Sequence, residues 1–199
     1  MEEGAGARAE FPDISDASNV LLLAPAGEQS RAFCFDALAQ SPPSETNVLA
    51  VTYPSQPAGW VESWKEHVGE QPVRGSIVTI GQAETDFEDC PWTAAAVESP
   101  GDLTGIGIEL SNSLSELADS AGADESLVAC FDSVTALLQY ADLQRGFRFL
   151  HVVTGRVRNA DARCYYHLDP AAHDEQTMAT LDGLFDTTVE HEGNSWTVR

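Results

Sequence analysis

The chain has 199 residues, in which 32 Asp and Glu outweigh 10 Lys and Arg and leave a formal net charge of −22. A chain of this length most often forms one domain with enough apolar sequence for a substantial core. The charge argues against a nucleic-acid partner, because affinity for phosphate backbones comes mainly from cations that displace counterions.

The acidic residues are dispersed along the chain, and Lys65 is the single lysine. This composition predicts a halophilic protein with a solvated acidic surface; an acidic patch for a basic partner is the alternative. No run approaches the roughly 18 apolar residues that a membrane span needs, and the N-terminus lacks the pattern of a signal peptide. We therefore expect a cytoplasmic protein without a membrane partner.

Apolar, strand-like segments alternate with helical patterns from residue 18 onward. Residues 1–17 are rich in Gly, Ala and acid, and are predicted to form a flexible acidic leader. Strands are predicted at 19–24, 47–53, 75–81, 126–132 and 163–168. Helices are predicted at 28–40, 60–67, 103–120, 142–158 and 175–185. A final hairpin turns at Gly193-Asn194.

The predicted strands are apolar throughout and are separated by helices. This pattern is typical of a parallel sheet covered on both faces, with right-handed crossovers. We therefore predict a single α/β domain over residues 18–199, with three layers, a mainly parallel sheet and a C-terminal antiparallel hairpin. The four cysteines are far apart and show neither a zinc spacing nor a disulfide framework, so we interpret Cys34 and Cys130 as core residues.

Ligands in open sheets of this kind bind at the carboxyl ends of the strands, near the switch in strand order. We expect any site to be assembled from the residues that follow the predicted strands. These are Ala24-Pro25, Tyr53-Pro54, Gly81-Gln82, Asp132-Ser133 and Asp169-Pro170.

The segment NVLLLAPAGEQSRAF, residues 19–33, lies where a phosphate-binding loop would be. The motif G-x-x-x-x-G-K-[ST] places a flexible backbone around phosphates, a lysine on their charge and a hydroxyl on magnesium. One interpretation is a strand-to-helix turn in which Gly27 relieves backbone strain and Arg31 points into solvent. The other is a weak anion site at a helix N-terminus, which the charge of Glu28 would oppose. The defined positions of the motif are occupied by Ala24, Gln29, Ser30 and Arg31.

The segment SLVACFDS, residues 126–133, is an apolar strand that ends in aspartate. In P-loop NTPases this pattern places a carboxylate on magnesium beside the phosphate loop. The alternative is helix capping, since Asp132 or Ser133 could cap the following segment VTALLQY. The presence of this segment together with residues 19–33 in one chain supports the P-loop interpretation more than either segment does alone.

With these motifs in this order, residues 18–192 resemble the RecA-like ATPase core. Within that superfamily the chain is similar to the KaiC-type branch, and most closely to the short, divergent KaiC-like proteins of haloarchaea. In active members the loop carries Lys and Thr, and acidic residues after the second strand activate water. Here Ser30 and Arg31 stand at the Lys and hydroxyl positions, and no acid follows Tyr53 before Glu62. Asp132 alone matches the pattern of active members, as the aspartate of the magnesium-binding strand.

The resemblance therefore implies a RecA-like fold with a degenerate P-loop, a pseudo-ATPase without catalytic residues. Its vestigial nucleotide-binding residues would be Gly27, Ser30, Arg31 and Asp132. It also implies a regulatory or signalling role through protein–protein interaction, with no cofactor and no metal. The alternative is an atypical nucleotide-binding protein or slow ATPase that uses Asp132 and Arg31 with ATP and magnesium.

The segment HLDPAAHDE, residues 167–175, could bind a divalent metal through closely spaced imidazoles and carboxylates. No standard metal spacing is met, so we interpret it as a strand end followed by a helix start, with Pro170 and Asp174 supplying the start chemistry. The residues of this candidate cluster are His167, Asp169, His173, Asp174 and Glu175.

Five of the ten cations lie between residues 145 and 163, on flanks of the predicted helix 142–158 or just after it. They could form ion pairs with neighbouring acids, which contribute little when exposed. They could instead form a docking surface for an acidic partner or an adjoining subunit, so we expect a protein partner or self-association. The predicted interaction surface consists of Arg145, Arg148, Arg156 and Arg158; Arg163 is the fifth cation.

Folding should depend on salt, because the net charge of −22 makes the compact state repel itself when screening falls. We expect the melting temperature, followed by circular dichroism, to fall on dialysis from molar to millimolar potassium chloride. An unchanged melting curve would show that the acidity has another cause.

Overall fold

The structure is a computed structural model that describes residues 11–27, 30–53, 55–81, 90–193 and 195–199. Parts of some predictions lie outside these residues. They are residues 1–10 of the leader, residues 28–29 of the first helix, the strand-end residues Pro54 and Gln82, and Asn194 of the hairpin turn. The search of the described residues for a helix long and apolar enough to cross a membrane found none.

The described residues form one eight-stranded sheet with the spatial order β4-β3-β2-β5-β6-β1-β7-β8. All neighbouring strands are parallel except β7 and β8, which are antiparallel. The predicted mainly parallel sheet with a C-terminal antiparallel hairpin is confirmed. The strands are β1 Asn19–Leu23, β2 Thr46–Thr52, β3 Arg74–Ile80, β4 Trp92–Val97, β5 Ser126–Asp132, β6 Arg163–Leu168, β7 Thr187–Glu192 and β8 Ser195–Val198.

Helices cover both faces of this sheet, as predicted. The chain steps outward from β1 to β4, and α3 then returns it to β5 on the other side of β2. Because crossovers are right-handed, this reversal puts α1 and α2 on one face and α3, α5 and α6 on the other. The helices are α1 Ser30–Leu38, α2 Pro57–Val68, α3 Leu103–Ser120, α4 Val134–Tyr140, α5 Leu143–Asn159 and α6 Glu175–Asp182.

Carboxylates begin the two longest helices. Asp102 accepts a hydrogen bond from the Gly105 N–H at 2.9 Å at the start of α3, and Asp142 accepts one from the Arg145 N–H at 2.9 Å at the start of α5. Such caps satisfy N–H groups that have no partner within the helix. Both helices then bury one apolar stripe against the sheet, which agrees with the periodicity that predicted them.

Two elements were not assigned from the sequence. Strand β4 contains three consecutive alanines, a residue depleted in strands, and it forms an edge against β3. Helix α4 is short and begins after Ser133, whose hydroxyl accepts a hydrogen bond from the Ala136 N–H at 3.1 Å. The capping interpretation of Ser133 is therefore confirmed.

Residues 11–17 belonged to the predicted leader, but they pack against the domain. The Phe11 ring lies edge-on to Tyr165, with 5.8 Å between the ring centroids, and Ala17 is buried. Arg163 Nε donates to the Ala17 carbonyl at 2.9 Å. The packed structure therefore begins before residue 18, because Phe11 and Ile14 add apolar side chains to the core.

Cys34 on α1 and Cys130 on β5 form a disulfide between positions 96 residues apart. Both are buried in the core, as predicted, but the expectation that the cysteines form no disulfide is wrong. A single pair at so large a separation leaves no local spacing in the sequence from which it could be recognised. Cys90 and Cys164 are free, and Cys164 is buried.

A matched pair of glycines tests the close packing of β3 against β4. An added Cβ at Gly75 would overlap the Trp92 indole, whereas one at Gly155 on α5 would meet no atom within 4 Å. We expect Gly75→Ala to lower the free energy of unfolding by about 1–3 kcal/mol. Gly155→Ala should raise it by up to about 1 kcal/mol, because alanine favours helix. Equal effects of the two substitutions in urea unfolding would contradict this packing.

Candidate functional site

A cavity of about 690 Å³ opens at the carboxyl ends of the four adjacent strands β2, β5, β6 and β1. Tyr53 follows β2, Asp132 ends β5, and His167 lies near the end of β6. Gly27, in the loop after β1, completes this wall. The prediction of residues at the strand ends is confirmed for Tyr53 and Asp132-Ser133. At the ends of β1 and β6 the lining residues are Gly27 and His167 instead of the predicted Ala24-Pro25 and Asp169-Pro170, and Gly81 after β3 does not line the cavity.

The loop after β1 is held by a carboxylate from the neighbouring strand end. The Ala26 N–H donates to Asp169 Oδ2 at 3.0 Å, and Asp169 Oδ1 accepts from the Ala171 N–H at 2.9 Å. Gly27 has φ 139°, a conformation that favours glycine, so its predicted role in relieving backbone strain is confirmed. The Asp169 carboxylate therefore accepts a hydrogen bond from a backbone N–H of the loop after β1, the loop that we compared with a phosphate-binding loop.

Arg31 does not point into open solvent, so the interpretation of its side chain as a solvent-exposed cation is wrong. Its Nη2 donates to Ser55 Oγ at 3.1 Å, and its Nη1 donates to Ser63 Oγ at 3.3 Å. These contacts tie the start of α1 to α2 and to the segment after β2. Both partners are neutral, and no described carboxylate forms an ion pair with Arg31. Ser30 begins α1, but its side chain lies outside the described atoms.

His167 is 1 % exposed and lies between two oxygen acceptors. Its Nε2 is 3.0 Å from the Ala24 carbonyl, and its Nδ1 is 3.1 Å from Asp132 Oδ1. Through Nδ1, His167 contacts an oxygen of Asp132, the residue predicted to hold magnesium.

One further side chain of the cavity, Glu66, was missed by the sequence analysis, and the contacts of Tyr53 were not predicted. Glu66 on α2 lines the cavity although it lies beyond the segment searched for an activating acid. Tyr53 stacks on Tyr140 with 6.1 Å between the ring centroids, and its hydroxyl is buried without a described hydrogen-bond partner. Burial, and then the nearby Tyr140, raise the pKa of Tyr53 well above its ordinary value, so the phenol stays neutral.

The candidate metal residues of 167–175 have separate structural contacts. Thr135 Oγ1 accepts from the Asp169 N–H at 2.9 Å and forms a second hydrogen bond with His173 Nε2 at 3.0 Å. Burial lowers the pKa of His173 and so favours its neutral form. Asp174 caps α6 through the Thr177 N–H at 2.8 Å, and hydrogen bonds from Thr177 lower the pKa of Asp174. The predicted helix start at Asp174 is confirmed.

The described residues contain no group of three or more His, Cys, Asp or Glu side chains arranged to hold a metal ion. Glu175 lies in the first turn of α6, where a carboxylate interacts favourably with the helix dipole. The proximity of these residues in sequence therefore does not become a coordination shell in the described part of the fold.

The predicted arginine surface divides into two groups. Arg158 Nη2 lies 2.7 Å from Asp186 Oδ1, so Arg158 is used in an ion pair within the domain. Burial alone would raise the pKa of Asp186, but hydrogen bonds from Arg158 and the Asn19 N–H hold it below its ordinary value. The other predicted residues, Arg145, Arg148 and Arg156, line a second cavity of about 590 Å³ between α3 and α5.

Comparison with known proteins identifies a family and a fold. Residues 17–191 match the model of a family described as "Family of unknown function (DUF7504)". No curated protein matches the sequence. One solved structure that is similar belongs to a protein of Pyrococcus horikoshii OT3, described as a structural study; it has 9 % identity and a TM-score of 0.58, over 91 % of this chain and 85 % of that one. This likeness concerns the fold.

Truncation of His167 tests the contacts that join β1, β5 and β6. We expect His167→Ala to lower the free energy of unfolding by about 2–4 kcal/mol, because it leaves the Ala24 carbonyl unpaired and opens a cavity. Asp132→Asn should cost less than about 1.5 kcal/mol, since the amide has the shape of the carboxyl group and can donate to or accept from His167 Nδ1. His151→Ala, at an exposed position of α5, should change stability by less than about 0.5 kcal/mol. Urea unfolding measures all three, and similar losses for His167→Ala and His151→Ala would contradict the role of His167.

Proposed function

The chain belongs to the family of unknown function DUF7504, and we propose that it is a non-catalytic domain that acts in regulation or signalling by binding another protein. The observation that carries the proposal is the use of polar groups around the larger cavity to hold the domain together. Asp169 binds the loop after β1, and His167 binds Asp132.

The position of Asp169 argues against phosphate binding in the loop. A phosphate that approached the Ala26 N–H would meet the Asp169 carboxylate that already accepts from it. Two like charges about 4 Å apart repel by about 4 kcal/mol at an effective dielectric constant of 20. A loop with this internal carboxylate is therefore a poor cradle for a triphosphate.

The groups that would stabilise phosphoryl transfer are also incomplete. Catalysis of this reaction depends on positive charge and magnesium placed against the transferred phosphoryl group. Ser30 stands where the resemblance expects the lysine, and Asp132 is engaged by His167. Arg31 contributes charge, but its planar guanidinium is bound to Ser55 and Ser63 rather than extended along the loop.

We retain the RecA/KaiC-like relationship as part of this proposal. Its support is the meeting of the loop after β1 and the end of β5 in one cavity of a mainly parallel sheet, because the two segments that carried the resemblance lie apart in sequence. Gly27, Arg31 and Asp132, three of the four residues predicted as vestigial nucleotide-binding residues, line that cavity.

A second candidate function is the binding of a nucleotide or another anion without rapid hydrolysis. It is favoured by Arg31, a cation in the cavity wall whose described hydrogen-bond partners are neutral. The Tyr53 hydroxyl, buried without a described partner, adds a hydrogen-bonding group to the same wall.

Calorimetric titration with ATP and magnesium in molar potassium chloride tests the first candidate against the second. We expect no saturable heat and no phosphate release above the buffer rate, with the same result for Asp132→Ala. Turnover near ~1 per second that disappears in Asp132→Ala would overturn the non-catalytic proposal. Saturable binding without turnover, lost in Arg31→Gln and kept in the exposed control Arg199→Gln, would select the second candidate.

A further inference from the structure

The surface between α3 and α5 is an open groove with an apolar interior, and we call it the arginine-rimmed groove. Ile108 on α3 and Val152 on α5 both line it and are 54 % and 58 % exposed, although large apolar side chains are costly to leave in water. A clustered apolar patch marks an interaction site more often than scattered apolar residues do. The apolar side chains that line the groove are Leu103, Ile108, Phe149, Val152 and Val153.

Small residues on α3 keep the groove open. Gly107 lies opposite Phe149, and a Cβ at this glycine would come within 3.6 Å of the phenyl ring. Ser111, one turn further along α3, also lines the groove with a short side chain. The nearly buried Phe149 therefore forms a floor that remains accessible between the two helices.

The charge of the groove is opposite to that of the molecule. Three arginines and no Asp or Glu line it, in a chain whose net charge is −22. The side chains of Arg148 and Arg156 form no hydrogen bond or ion pair with another described residue, and that of Arg145 has a long contact of 3.5 Å with the Gly101 carbonyl. Unlike Arg158, these arginines are not committed to holding the domain together.

The arginines follow the periodicity of their helix. Arg145, Arg148, Val152 and Arg156 are spaced by three or four residues and so form one stripe along α5. At a rise of 1.5 Å per residue, the stripe extends over about 16 Å. A partner helix of three turns can match this length, with apolar side chains in the groove and carboxylates beside the arginines.

We propose that the arginine-rimmed groove docks an amphipathic acidic helix of another protein. The inference rests on the proposed function, since it names the partner chemistry of a domain that acts by binding. A second copy joined by a two-fold axis through this groove would place arginines against arginines. An acidic helix instead gains both the apolar contacts and the complementary charges.

Salt concentration determines how much the charge attraction and the apolar burial each contribute to binding of the acidic helix. In molar salt the screening length is about 3 Å, so arginine–carboxylate attraction is confined to direct contacts. Burial of Ile108 and Val152 is insensitive to this screening. The groove is therefore suited to a partner that provides both kinds of contact.

Fluorescence anisotropy with synthetic helical peptides tests the inference on the full chain. The probes are labelled peptides of about five turns with leucines at i, i+3, i+4 and i+7, in several registers, and with glutamates on both flanks. The control peptides carry lysine in place of every glutamate. We expect saturable binding of at least one glutamate peptide, no saturable binding of the lysine peptides, and slower hydrogen exchange confined to α3 and α5.

Four variants locate the site. Arg148→Glu with Arg156→Glu, and separately Ile108→Ala with Val152→Ala, should each weaken binding at least tenfold. Arg148→Lys with Arg156→Lys should keep affinity within about threefold. Lys65→Glu, at an exposed position on α2, is the matched charge control and should leave binding unchanged. Melting curves check that every variant folds, and the lysine and alanine variants decide the test if the glutamate variant unfolds.

Three results would overturn the docking proposal: no saturable binding by any glutamate peptide, equal binding of glutamate and lysine peptides, or affinities unchanged by the groove variants. Sedimentation could instead show that the wild type is a dimer and that Arg148→Glu with Arg156→Glu dissociates it. The occupant of the groove would then be a second copy of this chain and not a helix of another protein. The ATP assay reads the proposed function independently. If the chain neither binds the peptides nor turns over ATP, only the docking proposal is wrong. If it binds the peptides and also turns over ATP, only the non-catalytic proposal is wrong.

Discussion

Burial of the central strands on both faces is the constraint from which the rest of the structure follows. Strands β2, β5, β6 and β1 are almost wholly buried, so their backbone groups must pair with neighbouring strands and their side chains must pack under helices on both sides. Parallel pairing then brings all four carboxyl ends to one edge of the sheet. The larger cavity is a direct consequence of this arrangement.

His167 is buried at that edge, so its ring nitrogens need hydrogen-bond partners. Its contacts are with Asp132 Oδ1 and the Ala24 carbonyl, and the more exposed Asp169 accepts from the Ala26 N–H of the loop after β1. The contacts stabilise the junction of three strands and, at the same time, occupy the groups that the resemblance would assign to magnesium and phosphate. In the described structure these atoms are used by internal hydrogen bonds, and an open apolar surface lies between α3 and α5.

Long periodic segments were predicted well. The helix predicted at 103–120 has the bounds of α3, and the one predicted at 142–158 differs from α5 by one residue at each end. The short elements β4 and α4 were absent from the predicted strands and helices, because three alanines or about two turns of helix carry little periodic signal. Of the candidate site, the gathering of residues at the strand ends was predicted, whereas Glu66 on α2 was not.

The sequence by itself determined the α/β class, the two-sided burial of the strands, the position of Asp132 at a strand end and the clustering of arginines on one helix. These properties depend on local order and periodicity. Only the tertiary structure decided the partners: Arg31 with Ser55, Asp169 with the loop after β1, and Arg158 with Asp186 while Arg148 and Arg156 form no such pair. Most such pairings join residues far apart in the chain and depend on the register and order of strands, which are set by the packing of the whole sheet and leave no spacing in the sequence.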